Sequence, residues 1–213
     1  SGGGEVIATS SSVIARTGEA APGTGGAEFS GFSRPVLNNA GEVAFRGTLT
    51  GSGVTGANNE GLFTSSGLVV REGDAAPGTG GAVFAGFGAP SLNDMGEILF
   101  GAGLAGPGVT GANNSALFLW DGIRAPSLLL REGSVLDLGG GDQRTVNRLE
   151  ITSNAFNNDR EVVFTAGFTD ASQGIFVLEA EAPGPGPTPV PLPASGWLLL
   201  AGLGALGALR RRA

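Results

Sequence analysis

The sequence repeats itself. Residues 16–63 and 71–118 align without a gap at an offset of 55, and 30 of the 48 aligned positions are identical. Such a chain is built from supersecondary units that cannot bury their faces alone and must stack on one another. A third, eroded copy starts at Arg131-Glu132-Gly133 and keeps Phe156, Asn157, Glu161, Phe164 and Ile175-Phe176. It carries Arg160 where the earlier copies have Gly41 and Gly96. Val6–Ala15 aligns with the end of a copy, Gly61–Val70, so the chain is expected to open in mid-repeat, as a fragment of a longer protein.

Within one copy the local signals are strands and turns. Glu42–Leu49 is rich in β-formers and follows the turn Asn38-Asn39-Ala40-Gly41. Gly61–Thr64 and Leu68–Arg71 flank Ser65-Ser66-Gly67, and Phe29–Phe32 ends before Pro35. No helical period stands out before residue 190. The expected fold is all-β: antiparallel sheet repeats of about 55 residues, blade-like as in a propeller and forming an incomplete ring here, plus a C-terminal transmembrane helix. The repeated pairs Phe29/Phe84, Phe45/Phe100 and Phe63/Phe118 are expected to form the core between sheets. Each buried Phe is worth about 1.5–3 kcal/mol.

Composition then removes whole classes of chemistry. The chain has no His, Cys or Tyr, and all 12 basic residues are Arg. This excludes a Ser-His-Asp triad, a Cys nucleophile, a disulfide framework, a His or Cys zinc site and a catalytic Lys. The net charge is −7, and three of the arginines are the terminal run Arg210-Arg211-Arg212, so the body is more acidic still. An acidic body repels phosphate backbones, and no nucleic-acid partner is expected. The 40 Gly are read mainly as turn and close-packing residues.

Three motifs invite functional readings. Gly-Thr-Gly-Gly at 23–26 and 78–81 resembles a phosphate cradle, but no helix or Lys follows it. Glu19/Asp74, Glu42/Glu97 and Asn58-Asn59/Asn113-Asn114 recur at the repeat offset and offer oxygen ligands to calcium, without a known calcium-loop spacing. Turn chemistry is the simpler account. Paired carboxylates from adjacent repeats would serve a glycan hydrolase. Recurrence argues against that, because an active site is built once and not once per unit.

The composition changes after Glu181. Ala182–Val190 is a Pro-Gly linker, and Val190-Pro191-Leu192-Pro193-Ala194 follows. Ser195–Leu209 is apolar throughout, and Arg210, Arg211 and Arg212 form a basic stop. The run is shorter than the ~20 residues of a comfortable span, but flanking Arg can snorkel and Trp197 suits an interface. A lipid bilayer is therefore an expected partner.

Two resemblances sharpen this. Asn38-x-x-Gly41-x-x-Ala44-Phe45, Asn93-x-x-Gly96-x-x-Leu99-Phe100 and Asn157-x-x-Arg160-x-x-Val163-Phe164 resemble the signature of choice-of-anchor tandem-repeat proteins of bacterial surfaces. That resemblance covers roughly residues 6–178 and implies no catalytic residues. The order Val190–Ala194, apolar run, Arg cluster resembles PEP-CTERM sorting signals of the VPLPA form. It implies recognition by an exosortase, a membrane cysteine transpeptidase of Gram-negative bacteria, with cleavage near Pro193 and delivery to the cell surface or matrix.

The expected organisation is 1–15, the end of a preceding repeat; 16–70 and 71–130, two repeats; 131–181, a degenerate third; 182–193, linker and sorting motif; and 194–213, transmembrane helix and Arg tail. The expected function is that of an exported, surface-anchored, non-enzymatic structural or binding module. Extracellular polysaccharide is its candidate ligand, and no catalytic, cofactor-binding or metal-ligating residue is assigned. A carboxylate-dependent glycan hydrolase and a calcium-stabilised propeller remain the alternatives.

Overall fold

The computed structural model describes residues 4–33, 35–152 and 154–181, together with the backbone of Leu198–Leu199. The described part is all-β, arranged in antiparallel sheets with no helix. Strands β1 (Val6–Ala8) and β2 (Val13–Arg16) form a hairpin. Sheet I follows, with β3 (Glu28–Phe32), β4 (Val36–Leu37), β5 (Val43–Thr50), β6 (Glu60–Thr64) and β7 (Gly67–Arg71). Its order is β3-β5-β6-β7, and the short β4 pairs with the other end of β5.

Sheet II has the same plan. It contains β8 (Val83–Phe87), β9 (Ser91–Leu92), β10 (Ile98–Ala105), β11 (Ser115–Trp120) and β12 (Ser127–Arg131). The likeness extends to irregularities. The ladder shifts register between Phe29 and Gly31 in sheet I and between Ala102 and Leu104, opposite β8, in sheet II. It shifts again between Leu62 and Phe63 and between Leu117 and Phe118. Bulges at matching places bend the two sheets alike.

Sheet III is built differently at both margins. Its strands are β13 (Val135–Asp137), β14 (Gln143–Glu150), β15 (Glu161–Phe168), β16 (Gln173–Glu179) and β17 (Leu198–Leu199), in that order. β14, β15 and β16 occupy the places of β8, β10 and β11. The strand beside β16, equivalent to β7 and β12, is β17 from the far end of the chain.

The sheets stack face to face. Alternation along β10 sends Ile98, Phe100, Ala102 and Leu104 toward sheet I, where they meet Ala44, Leu62 and Val70. Leu99 points the other way, joining Leu117, Leu119 and Leu130 against Phe164, Phe168 and Phe176 of sheet III. The six phenylalanines expected in the core are each no more than 3% exposed. Phe84 meets Phe118 edge-on at 4.9 Å and Phe100 stacks on Phe118 at 5.8 Å. Sheet I repeats both contacts with Phe29, Phe63 and Phe45. The rings need small residues beneath them: a Cβ at Gly61 would lie 2.9 Å from the Phe63 ring.

Candidate functional site: the asparagine turns and the C-terminal segment

The signature residues build one turn three times. The Asn38 side-chain carbonyl accepts the Glu42 N–H at 2.8 Å, and its amide donates to the Glu42 carboxylate at 2.7 Å. Asn93 does the same with Glu97, at 2.9 Å and 2.9 Å, and Asn157 with Glu161, at 2.9 Å and 2.8 Å. Inside each turn the residue three positions on takes a left-handed backbone, with φ of 84° at Gly41 and 77° at Gly96. Arg160 accepts the same conformation at φ 60° despite its side chain. The signature Phe then enters the core four residues later in each turn.

Each turn also grips the next. The Asn38 amide donates to the Asn93 backbone carbonyl at 2.9 Å, and the Asn93 amide to that of Asn157 at 3.3 Å. Beside them runs a second rung. The Asn39 backbone and side-chain amides donate to Asp94 at 2.8 Å and 2.9 Å. The Asp94 N–H donates to Asn158 at 2.8 Å, and the Asn158 amide returns to Asp94 at 2.9 Å. Hydrogen bonds from Asn158 and Asn39 hold the Asp94 carboxyl below the usual carboxylate range. The glutamates complete the contact. Glu42 covers Gly96, where a Cβ would meet its carboxylate at 3.0 Å. At the next level Arg160 replaces that glycine and binds Glu97 at 3.0 and 2.5 Å. The signature residues are thus inter-sheet staples. The partner roles of Glu42/Glu97/Glu161 and Asn39/Asp94/Asn158 are absent from the signature, and of these only Glu42/Glu97 stands out by recurring at the repeat offset.

The other recurring polar groups are also spent on the fold. Arg71 reaches the carbonyls of Asn58 at 2.7 Å and Thr24 at 3.0 Å, and Arg131 those of Asn113 and Thr79 at the same distances. This closes the Gly-Thr-Gly-Gly loops onto the sheet edge. Glu72 accepts the N–H groups of Asn59 at 3.0 Å and Glu60 at 2.9 Å. Burial pushes the carboxyls of Glu72 and Glu132 up. Asn58 and Asn113 accept the Thr55 and Thr110 N–H groups at 2.6 and 2.7 Å. Asp74 accepts the Arg71 N–H at 2.8 Å, and Glu19 pairs with Arg16 at 3.5 Å. Among the described residues no three acidic side chains converge on a metal position.

One gap in the stack is chemically distinct. Between sheets I and II the Arg46 guanidinium fills the space, donating to the Phe87 carbonyl at 2.7 Å. Sheet II has Gly101 at that place, and a cleft of about 480 Å³ opens toward sheet III. Gly101, Gly103 and Ser115 line one side, Glu150, Thr152 and Thr165 the other.

Val190, Pro191, Leu192, Pro193 and Ala194 lie outside the described residues, as do Arg210, Arg211 and Arg212. Of the expected membrane helix only Leu198–Leu199 is described, and there the backbone is a strand on β16. The difference has a physical reason. The β16 edge offers backbone groups to pair with at these two residues, and the rest of the apolar run lies outside the described residues. Among the described residues no helix is long and apolar enough to cross a membrane.

Comparison with known proteins gives two family matches. A family of unknown function, DUF7453, matches residues 6–188. The PEP-CTERM protein-sorting motif matches residues 189–212. No curated protein matches the chain. No solved structure matches it either. The sorting motif indicates an exported protein of Gram-negative bacteria that is processed at the membrane by an exosortase-type enzyme.

Proposed function

The chain belongs to the DUF7453 family of unknown function, and from that premise we propose a non-enzymatic β-repeat module, anchored at the cell surface or in an exopolysaccharide matrix. The observation that carries this reading is the order of parts. An acidic stack of sheets is followed by a Pro-Gly tether, a sorting motif, an apolar run and three arginines. The apolar run is the membrane helix of the precursor, and positive-inside places Arg210–Arg212 in the cytoplasm. The tether, at roughly 3 Å per extended residue, holds the sheets clear of the bilayer.

On the Asn38-x-x-Gly41 signature we further read the body as a choice-of-anchor tandem repeat, its sheets being blades of a propeller that other copies complete. The Asn38/Asn93 staple supports this, since the amide of each donates to the backbone carbonyl of the next signature Asn. At the last turn Asn158 and Glu161 are exposed, and the Gly41 position of the first turn has open space around it.

The absence of catalysis is part of the proposal. Glu42, Glu72, Glu97 and Glu132 are engaged by Asn, Arg or backbone N–H groups, which leaves no free carboxylate pair among them for glycan hydrolysis. The cleft between sheets II and III is the surface assigned to polysaccharide contact. Fractionation of cells expressing the precursor tests the anchoring. With Arg210–Arg212 intact the protein is expected in the membrane and surface fractions, and without them it is expected to lose surface delivery. Equal distribution of the two forms contradicts the reading.

A further inference from the structure

Sheets I and II each close with a strand drawn from the same repeat. β6 is covered by β7 and β11 by β12, within hairpins. Among the described residues sheet III has no such hairpin partner: the chain leaves β16 into Ala180, whose N–H donates to the Arg160 carbonyl at 2.9 Å. The vacated edge is a hazardous one. Ile175-Phe176-Val177-Leu178 is a run of strong β-formers without Pro or Lys, and Ile175 is 60% exposed. An edge of this composition is a template for pairing. What pairs with it is the chain's own apolar run, Leu199 opposite Val177 and Leu198 opposite Leu178. Val177 matches Thr64 and Leu119, the end positions at which sheets I and II receive their last strand, whereas Leu178 lies one residue beyond the positions paired there.

We propose that the β16 edge is a docking site for the C-terminal apolar segment, so that the tail has two mutually exclusive seats: a strand on sheet III in water and a helix in the bilayer. Residues 182–197, extended at roughly 3 Å each, give ample reach for the return. Docking satisfies the β16 edge and keeps the apolar run from pairing with other chains. The bilayer then draws the segment off, because a run of Leu and Ala inserts favourably there. Removal of the tail upstream of Leu198 leaves the edge permanently open. The second seat rests on the membrane reading of the tail given above, whereas the docking itself does not.

Hydrogen exchange tests the docking. The full chain in aqueous buffer is compared with a chain ending at Glu181, following the 173–179 segment. About tenfold slower exchange is expected in the full chain, falling to the truncated level when phosphatidylethanolamine–phosphatidylglycerol vesicles are added. Cysteine pairs give a second readout, since the chain has no native Cys. Val177→Cys with Leu199→Cys is expected to form an intramolecular disulfide at high dilution, and Gln173→Cys with Leu199→Cys is not. Equal exchange in the two chains, or equal cross-linking of the two pairs, overturns the docking. Slow exchange that vesicles leave unchanged overturns the second seat only. Neither result bears on whether the motif at 189–212 is cleaved in cells, so the sorting reading fails or stands separately.

Discussion

Arg160 binds Glu97 across the gap between sheets II and III, with Nε 3.0 and 3.1 Å from the two carboxylate oxygens. Glu97 is 2% exposed, and Arg160 is its ion-pair partner. The hydrogen bonds that Arg160 donates to Glu97 in turn raise the Arg160 pKa. Arg160→Ala is expected to destabilise the protein by about 3 kcal/mol, the usual result of stranding one member of a buried pair. Arg160→Gly relieves the left-handed backbone but leaves the same stranded charge, so it is expected to recover only part of the loss. Adding Glu97→Gln to Arg160→Gly should recover more. Denaturant midpoints of the three variants check this order.

The staples differ in burial, and their energetics should follow. Asn93 is 3% exposed and serves four groups: the N–H of Met95 and Glu97, the Glu97 carboxylate and the Asn157 carbonyl. Asn93→Ala is expected to cost about 2–3 kcal/mol, because buried donors lose their acceptor. Asn157 holds the equivalent place in an exposed turn, where water replaces the lost bonds, so Asn157→Ala should cost under about 1 kcal/mol. Equal losses would mean that the ladder is not what secures the turns.

Acid should weaken the rung at Asp94. Its folded-state pKa is lowered by hydrogen bonds from Asn158 and Asn39. The stabilisation is therefore complete above the unfolded value of about 3.9 and is lost as pH falls through the lower folded value. Asp94→Asn is expected to flatten that part of the pH–stability curve. Glu72 has the opposite sign, because burial raises its pKa. Its penalty is absent below the unfolded value and grows as pH rises through the raised one. Glu72→Gln, which keeps a carbonyl for Asn59 and Glu60, is expected to gain stability relative to wild type at pH 7 but not at pH 3.5. Thermal melts across this range separate the two residues.

Much of the fold was readable because the repeat preserves both turn and core residues. Phe45, Phe63, Phe100 and Phe118 recur with strand spacing, and all four are buried where the recurrence placed them. Asn38 and Gly41 read as a turn, and the turn is there. What one copy could not disclose was the partner across the gap. Asn39, Asp94 and Asn158 look like ordinary turn residues until the sheets are stacked and one carboxylate is seen serving two neighbours. The third copy was harder. β13 and β14 share little with the earlier sequence, and β14 is mostly polar, with only Val146 and Leu149 apolar and no Phe. Arg160 read as erosion of the motif, whereas it exchanges glycine's freedom for an ion pair. The strand at Leu198–Leu199 was hidden because an apolar run of Leu, Ala and Gly fits a short helix or a strand equally well.

The central claim, that the segment after the sheets is a sorting device removed at the membrane, is tested most directly by the mass of the mature protein. The precursor is expressed in a Gram-negative host with an exosortase-type enzyme and recovered from the cell surface or the medium. The account predicts a C-terminus near Pro193 and no Leu198–Ala213. Replacing Val190–Ala194 should give only the uncleaved form, retained in the membrane. Recovery of surface protein that still ends at Ala213, with or without that motif, would contradict it.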